Sequence, residues 1–473
     1  MPEQLISINP ANGKEVARVA VTSNDELNAA VDRAWQAFYT SGWREMLPHK
    51  RARVLYLIAD AIEKEKDSLA RLQMQDNGKP LGECRGMVDS AIGTFRYYAG
   101  VCETLESSVT PSRSDYLSFT VLEPFGVVAA ITPWNSPIMN DATKVAPALA
   151  AGNAVLLKPS EDSPLLAPEL ARIAREAGLP EHLLQVVQGR GADIGAALVA
   201  HPGVRMVSFT GGTVSGRAIG RAAGDKLIPA ALELGGKSPH IVFADADREH
   251  AVAAVVAGIF GSAGQSCVAG SRLFIEASVY DDVLSQVVDR ARAIKVGMPD
   301  EAGVEMGPLA SFHHRERVMA FVERARAEGG RVLCGGAVPG DGAFDKGAFY
   351  LPTVIDGLDF QAATCQEEAF GPVLVALPFK DEADLVRQAN GTAFGLACGI
   401  WTESFKRAWR IGRALEAGSV WINTYKQSVT STPFGGFKNS GVGREKGIDG
   451  LKLYAQVKSM YVGLHDQPMA VAK

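Results

Sequence analysis

The sequence predicts an α/β protein built on two doubly wound parallel sheets, with a small antiparallel segment beside them. Three observations carry this. From about residue 120, short apolar runs alternate with helical stretches, the pattern that parallel βαβ units require. The alternation starts afresh after Pro239. Two segments, 115–127 and 452–462, alternate apolar and polar residues as antiparallel strands do, and neither has a place in the repeating units. At 473 residues the chain exceeds what one hydrophobic core usually supports, so two or three domains are expected.

The elements follow in order. Residues 5–19 read as two short strands around Asn12-Gly13, a hairpin signal. Residues 24–38 place apolar side chains at helical spacing behind an Asn/Asp cap, and a further helical segment covers 48–76. "GVVAAITPW", "NAVLLKPS", "LLQVVQG" and "VRMVSFTGG" then read as strands. The helices between and after them are "DATKVAPALAAG", "PLLAPELARIAREAGLP", "ADIGAALVAHP" and "VSGRAIGRAAG". The second unit opens with "HIVF", a helix over 249–261, "RLFIEASV" and a helix over 280–294.

Composition narrows the function. A net charge of −5 gives no reason to expect nucleic acid or an anionic membrane as partner. No uninterrupted apolar run reaches the ~20 residues of a membrane span. The start "MPEQLISINP" lacks the basic and apolar regions of a signal peptide. The six cysteines are scattered with no CxxC pair, against both a disulfide framework and a cysteine-ligated metal site. A reducing, cytoplasmic setting is the expectation.

Several stretches carry chemistry. In "GSAGQSCVAGSRL" (261–273), Cys267 taken alone reads as packing, because free cysteine is among the most buried residue types. Its small neighbours nevertheless leave room for a ligand at the sulfur. In "LELGGKSP" (232–239), Glu233 ends an apolar segment before a Gly-Gly turn, and partial desolvation there would suit it to proton transfer. In "ITPWNSPI" (131–138), Asn135 sits past a strand end, where its amide could donate to an oxyanion. "LLKPSE" (156–161) ends a strand with a cation and an acid. "FTGGTVSG" (209–216) is a Gly-rich turn opening a helix, suited to pyrophosphate but not the GxGxxG fingerprint.

Taken together, these stretches resemble the NAD(P)-dependent aldehyde dehydrogenase superfamily, almost end to end. The ordered set is PWN (133–135), KPSE (158–161), FTGGTxxG (209–216), ELGGKSP (233–239), GQxCxAGSR (264–272), EEAFGPV (367–373) and PFGGFKxSGxGRE (433–445). The 34-residue step from Glu233 to Cys267 is also the family's. The resemblance implies an NAD-binding domain over 1–113 and 131–234 and a catalytic domain over 235–440. Oligomerisation strands over 114–130 and 450–463 would build a homodimer or homotetramer. It implies Cys267 as the nucleophile that adds to an aldehyde, Asn135 in the oxyanion hole, and Glu233 as the base for thioester hydrolysis. The implied cofactor contacts are Ile131, Thr132, Pro133, Trp134, Lys158, Ser160, Glu161, Phe209, Thr210, Gly211, Thr213, Gly216, Leu234, Gly235, Glu368 and Phe370. Lys144 and Glu445 would serve a proton path. Glu161 should repel a 2′-phosphate, which favours NAD over NADP.

Departures from the family bear on the substrate. Ser136 stands where a large group is common, and Asn140, Thr143, Ser266, Val268, Lys426, Ser428 and Phe434 complete the expected channel. Few parts of an aromatic cage for a quaternary ammonium are present, and Lys426 would repel one. A small-molecule aldehyde that is polar, oxygenated, anionic or bulky, as from aromatic or N-heterocycle breakdown, is the expected guest. Two alternatives stand beside this: a CoA-acylating semialdehyde dehydrogenase, which Glu233 argues against, and a non-catalytic binding protein on the same fold.

Overall fold

A computed structural model describes residues 3–112, 115–340 and 342–464. Its mixed α/β architecture has two large sheets. The first runs Gly441–Val442, Ala230–Glu233, Met206–Thr210, Val127–Ile131, Ala154–Lys158, Leu184–Val186, parallel except for its short first strand. Val127–Ile131 and Ala154–Lys158 are buried at every position, which is why they read as unbroken apolar runs. The chain steps outward from Val127–Ile131 to Leu184–Val186, then returns to place Met206–Thr210 on the other side. That reversal opens a crevice at the strand ends, where such sheets take ligands.

The second sheet runs Arg331–Cys334, Thr353–Asp356, Val373–Phe379, Arg272–Glu276, Pro239–Val242, Ala397–Trp401, Ser419–Ile422, with only Arg331–Cys334 antiparallel to its neighbour. Each sheet has its own apolar core. Residues 234–238 join the last parallel strand of the first to the first strand of the second. The carboxyl ends of one sheet's strands therefore meet the amino ends of the other's.

Four expectations need correction or refinement. The helical segment over 48–76 is two helices, Pro48–Lys64 and Lys66–Asn77. The longest helix, Leu81–Thr104, lies outside the elements read from the sequence, because Gly82, Gly86, Gly93 and Gly100 mask it. Its buried Cys84, Val88, Ala91, Phe95, Tyr98 and Cys102 nonetheless recur at helical spacing. The segment 114–130 does not form one unit. Its strand is Tyr116–Pro124, which pairs antiparallel with Ala455–Gly463, whereas Val127–Ile131 lies in the middle of the first sheet. At the other end, 450–452 finish the helix Gly447–Lys452 rather than the strand.

The ribbon passes into the sheet at Gly126, whose φ of +117° suits glycine. A Cβ there would stand 2.3 Å from the Trp35 ring, itself fixed by an indole N–H donated to the Gly203 carbonyl at 2.8 Å. Gly126→Ala should therefore cost about 2–4 kcal/mol in strain and displaced packing. Urea denaturation monitored by tryptophan fluorescence checks this; an unchanged midpoint would mean the ring yields freely.

Candidate active site

The loop bearing Cys267 is held from three directions. The helix Arg248–Phe260 ends in a turn where Ser262 and Ala263 adopt φ of 60° and 52°. Glu83 secures that turn, accepting from the Ser262 backbone N–H at 3.0 Å and its hydroxyl at 2.6 Å. Gln265, buried, donates its amide to the Ser262 carbonyl and accepts the Ala310 N–H at 2.8 Å. The Tyr425 hydroxyl donates to the Val268 carbonyl at 3.0 Å, and the Tyr425 ring stacks on buried His240 at 4.3 Å. Trp401 donates to His240 Nε2 at 2.8 Å, which leaves Nδ1 to carry the imidazole proton.

Cys267 sits at the end of this scaffold. Burial pushes its thiol up to about 12, with Glu368 and Glu233 adding to the rise and Lys426 opposing it. Asn135 reaches the same loop, donating its amide to the Gln265 carbonyl at 3.0 Å. An amide carries two hydrogens, so one remains for an oxygen beside Cys267.

Glu233 ends its strand almost fully buried, and its Oε2 has no hydrogen-bond partner. Desolvation raises its pKa well above the usual carboxylate value; Glu445 adds to this, while Lys144, Arg444 and Lys446 oppose it. Behind it, Lys144 Nζ donates to Glu445 Oε1 at 2.5 Å and to Ser208 Oγ at 3.1 Å. The Tyr454 hydroxyl donates to Ser208 at 2.9 Å. Lys144 and Glu445 are thus in direct contact.

The crevice of the first sheet is a cleft of about 750 Å³, within the range of small-molecule sites. Ile131, Thr132, Pro133, Trp134, Lys158, Ser160, Glu161, Phe209, Thr210 and Gly211 all line it. Lys158, buried, lies 3.6 Å from Glu161, which also accepts the Gly191 N–H at 3.2 Å. The remaining expected contacts are not wall residues. Thr213 is the first residue of the helix Thr213–Asp225, and Gly216 packs over buried Leu234, where a Cβ would come within 2.3 Å of the Leu234 side chain. A Cβ on Gly235 would stand 2.2 Å from Glu368 Oε2, and Glu368 Oε1 accepts the Gly236 N–H at 3.0 Å. Phe370, at φ 52°, meets Trp134 edge-on at 5.2 Å, and His314 donates its Nε2 hydrogen to the Phe370 carbonyl at 2.7 Å. The residues present fit a dinucleotide. The Thr210 hydroxyl is buried without a partner, and Gly191 and Gly212 face open space.

The channel residues separate. Thr143 turns its hydroxyl back to the Met139 carbonyl at 2.8 Å, Ser136 is buried at the helix cap, and Val268 contributes its carbonyl to Tyr425. Ser266 stays in the turn before Cys267, its backbone N–H donated to the Gly264 carbonyl at 2.9 Å. Asn140 lies 3.5 Å from the Asn135 amide oxygen. Ser428 accepts from Lys446 at 2.5 Å, and the Lys446 ammonium lies 5.6 Å from the Phe434 ring centre. Sequence reasoning misses Lys446, as it does Lys79, Glu83, Arg317 and the Gly191–Gly195 wall of the cleft. "GRGADIG" is the available signal for that wall, and Lys446 follows directly on Glu445.

The model of the aldehyde dehydrogenase family matches residues 2–460. The chain is 42% identical over 469 residues, 98% of its length and 95% of the relative's, to (Z)-2-((N-methylformamido)methylene)-5-hydroxybutyrolactone dehydrogenase of Acinetobacter baylyi. Among solved structures, it is similar to the NAD+ complex of an aldehyde dehydrogenase from Bacillus cereus, with a TM-score of 0.95 and 38% identity, covering 98% of this chain and 94% of that one. It is also similar to betaine aldehyde dehydrogenase from Staphylococcus aureus in complex with NAD+, with a TM-score of 0.97 and 35% identity, covering 98% and 92%.

A thiol held near 12 is almost entirely protonated at neutral pH, and its thiolate fraction grows tenfold per pH unit. Alkylation of Cys267 by iodoacetamide in the cofactor-free protein should therefore climb from pH 7 to 10 without a plateau. Mass spectrometry of the modified peptide checks this; saturation below pH 8 would mean that the thiolate is already stabilised.

Proposed function

The chain belongs to the aldehyde dehydrogenase family, and from that premise we propose that it oxidises a polar, oxygenated aldehyde to its carboxylic acid with NAD, through a covalent intermediate on Cys267. The observation that carries the reading is the convergence of Cys267, the Asn135 amide and the unpartnered Glu233 carboxyl where the two sheets meet.

The chemistry follows from the residues. The Cys267 sulfur bonds to the aldehyde carbon as the thiol gives up its proton, and the carbonyl oxygen gains negative charge. The free hydrogen of Asn135 and the backbone N–H of Cys267 stabilise that oxygen, an effect worth roughly 3–4 kcal/mol per donor. NAD, when bound, supplies the hydride acceptor. Loss of hydride from the carbon leaves a thioester on Cys267. Glu233 then takes a proton from water, whose oxygen attacks the thioester carbon; the C–S bond breaks, the acid leaves and the thiol is restored. Burial makes Glu233 a stronger base than an exposed carboxylate and a poorer anion, which suits a group that must accept a proton and release it.

Lys158 and Glu161 are read as the pair that holds the adenosine ribose, with Glu161 disfavouring a 2′-phosphate. Neighbours solved with NAD+ support the choice of cofactor. The Acinetobacter baylyi relative, named for an oxygenated, nitrogen-bearing lactone, supports a polar catabolic substrate. The exposed apolar side chains of the ribbon, Leu117, Val457, Met460, Tyr461 and Val462 among them, are read as its assembly surface. Retention of Glu233 weighs against CoA as the acyl acceptor.

Cys267→Ala should abolish NADH formation while leaving NAD binding by calorimetry intact; turnover surviving in that variant removes the nucleophile from its role. Glu233→Gln should slow deacylation by about 10²–10⁴ and let acyl-enzyme accumulate in a single-turnover burst. In the parent enzyme the deacylation rate should rise with pH as Glu233 loses its proton, and the variant should lack that rise. Glu161→Gln should lower the NAD-over-NADP preference in kcat/KM at least tenfold; an unaltered ratio would assign the discrimination elsewhere.

A further inference from the structure

Lys426 and Lys446 lie within electrostatic reach of Cys267, Lys79 lies within reach of Lys426, and none of the three lines the cofactor cleft. Lys446 has φ 61° and ψ 177°, and Lys426 has φ 56°, both in the left-handed half of backbone space that a lysine enters only under constraint. Lys446 directs its ammonium to Ser428 and over the Phe434 ring. The Lys426 ammonium makes no hydrogen bond or ion pair among the described residues. Lys79 is 2% exposed, and its Nζ has no hydrogen-bond partner. Its nearest carboxylate, Glu83 at 3.9 Å, is engaged by Ser262.

The carboxylates near these cations are committed elsewhere. Glu445, which acts on Lys446, is paired with Lys144, Glu83 accepts from Ser262, and Glu233 is held toward its neutral form. Lys426 and Lys446 each act electrostatically on Cys267, and Lys79 and Glu83 act on Lys426. Burial lowers all three ammonium groups, Lys426 to about 8. A desolvated cation short of hydrogen-bond partners, as Lys79 and Lys426 are, is costly unless an anion joins it. The same field repels a cationic substrate.

We infer that the aldehyde accepted here carries a carboxylate, bound by Lys426 and Lys446 beside Cys267, so that an oxo acid is converted to a dicarboxylate. This rests on the reading of Cys267 as the aldehyde nucleophile. Lys426 and Lys446 set specificity by holding the remote end of the substrate, and Lys79 adds positive potential behind Lys426.

The test compares NADH formation from 4-oxobutanoate, 5-oxopentanoate and 6-oxohexanoate with that from their methyl esters, in which only the negative charge is lost. At least one acid should exceed its ester tenfold or more in kcat/KM, mainly through KM, and that advantage should shrink as NaCl is raised. Lys426→Met and Lys446→Met should each reduce the acid-to-ester ratio at least fivefold, and Lys446→Arg should retain more of it than Lys446→Met. Esters oxidised as well as every acid would overturn the inference and leave the dehydrogenase reading standing. An acid-to-ester ratio unmoved in both Met variants would likewise overturn the role of these lysines. No NADH from any acid, ester or simple alkanal would remove the underlying reading as well.

Discussion

Everything at the active site depends on how closely the backbone of Gly235 and Gly236 passes between the two sheets. A Cβ on Gly235 would lie 2.2 Å from Glu368, and one on Gly236 would lie 2.5 Å from the Cys267 carbonyl oxygen. Five residues thus carry the chain from the strand that ends in Glu233 to the strand that starts at Pro239, with Glu368 and Cys267 packed against the crossing. The close approach brings a carboxylate from the first sheet and a thiol from the second into one water-poor crevice. Aromatic contact across the same seam, Trp134 against Phe370 and His314, braces it from the cofactor side.

That geometry sets the electrostatics. In a desolvated crevice, charges interact more strongly and cost more to leave unpaired. The molecule separates its groups by partner. Lys144 and Glu445 neutralise one another, and Glu83 is engaged by the turn before the nucleophile. Glu233 and Cys267 are driven toward their neutral forms by burial, and each becomes reactive on giving up its proton. Lys446 lies within electrostatic reach of Glu445, Glu233 and Cys267, and Lys426 of Cys267. The site is polarised even though the whole chain is mildly acidic.

Much of this is legible in the residues. The unbroken apolar runs mark the parallel strands because strands covered on both faces need no polar side. The ordered motifs point to Cys267, Glu233, Asn135 and the wall of the cleft, and Lys144 with Glu445 meet at 2.5 Å. What escapes has physical causes. Glycines hide the helix Leu81–Thr104 because local propensity cannot register tertiary packing. The ribbon's boundary with the first sheet is misplaced because "SFTVLEPFGVVAA" is apolar across both elements, and only Gly126 marks the change. Lys79 carries no signal in a linear reading, because what marks it is an ammonium buried without a hydrogen-bond partner.

The bond between Lys144 and Glu445 spans 301 residues, as does that from the Asn153 amide to the Tyr454 carbonyl. During synthesis, domains form from the amino terminus while the remainder is still on the ribosome. The loop bearing Cys267 would then emerge well before the segment that carries Glu445 and closes the first sheet through Gly441–Val442. Tyr425 and Trp401, which brace the Cys267 loop, likewise come late, so the thiol and the buried pair behind Glu233 are both set by the last part of the chain. A chain that stops short of Glu445 would therefore carry most of both sheets and lack the pair behind Glu233.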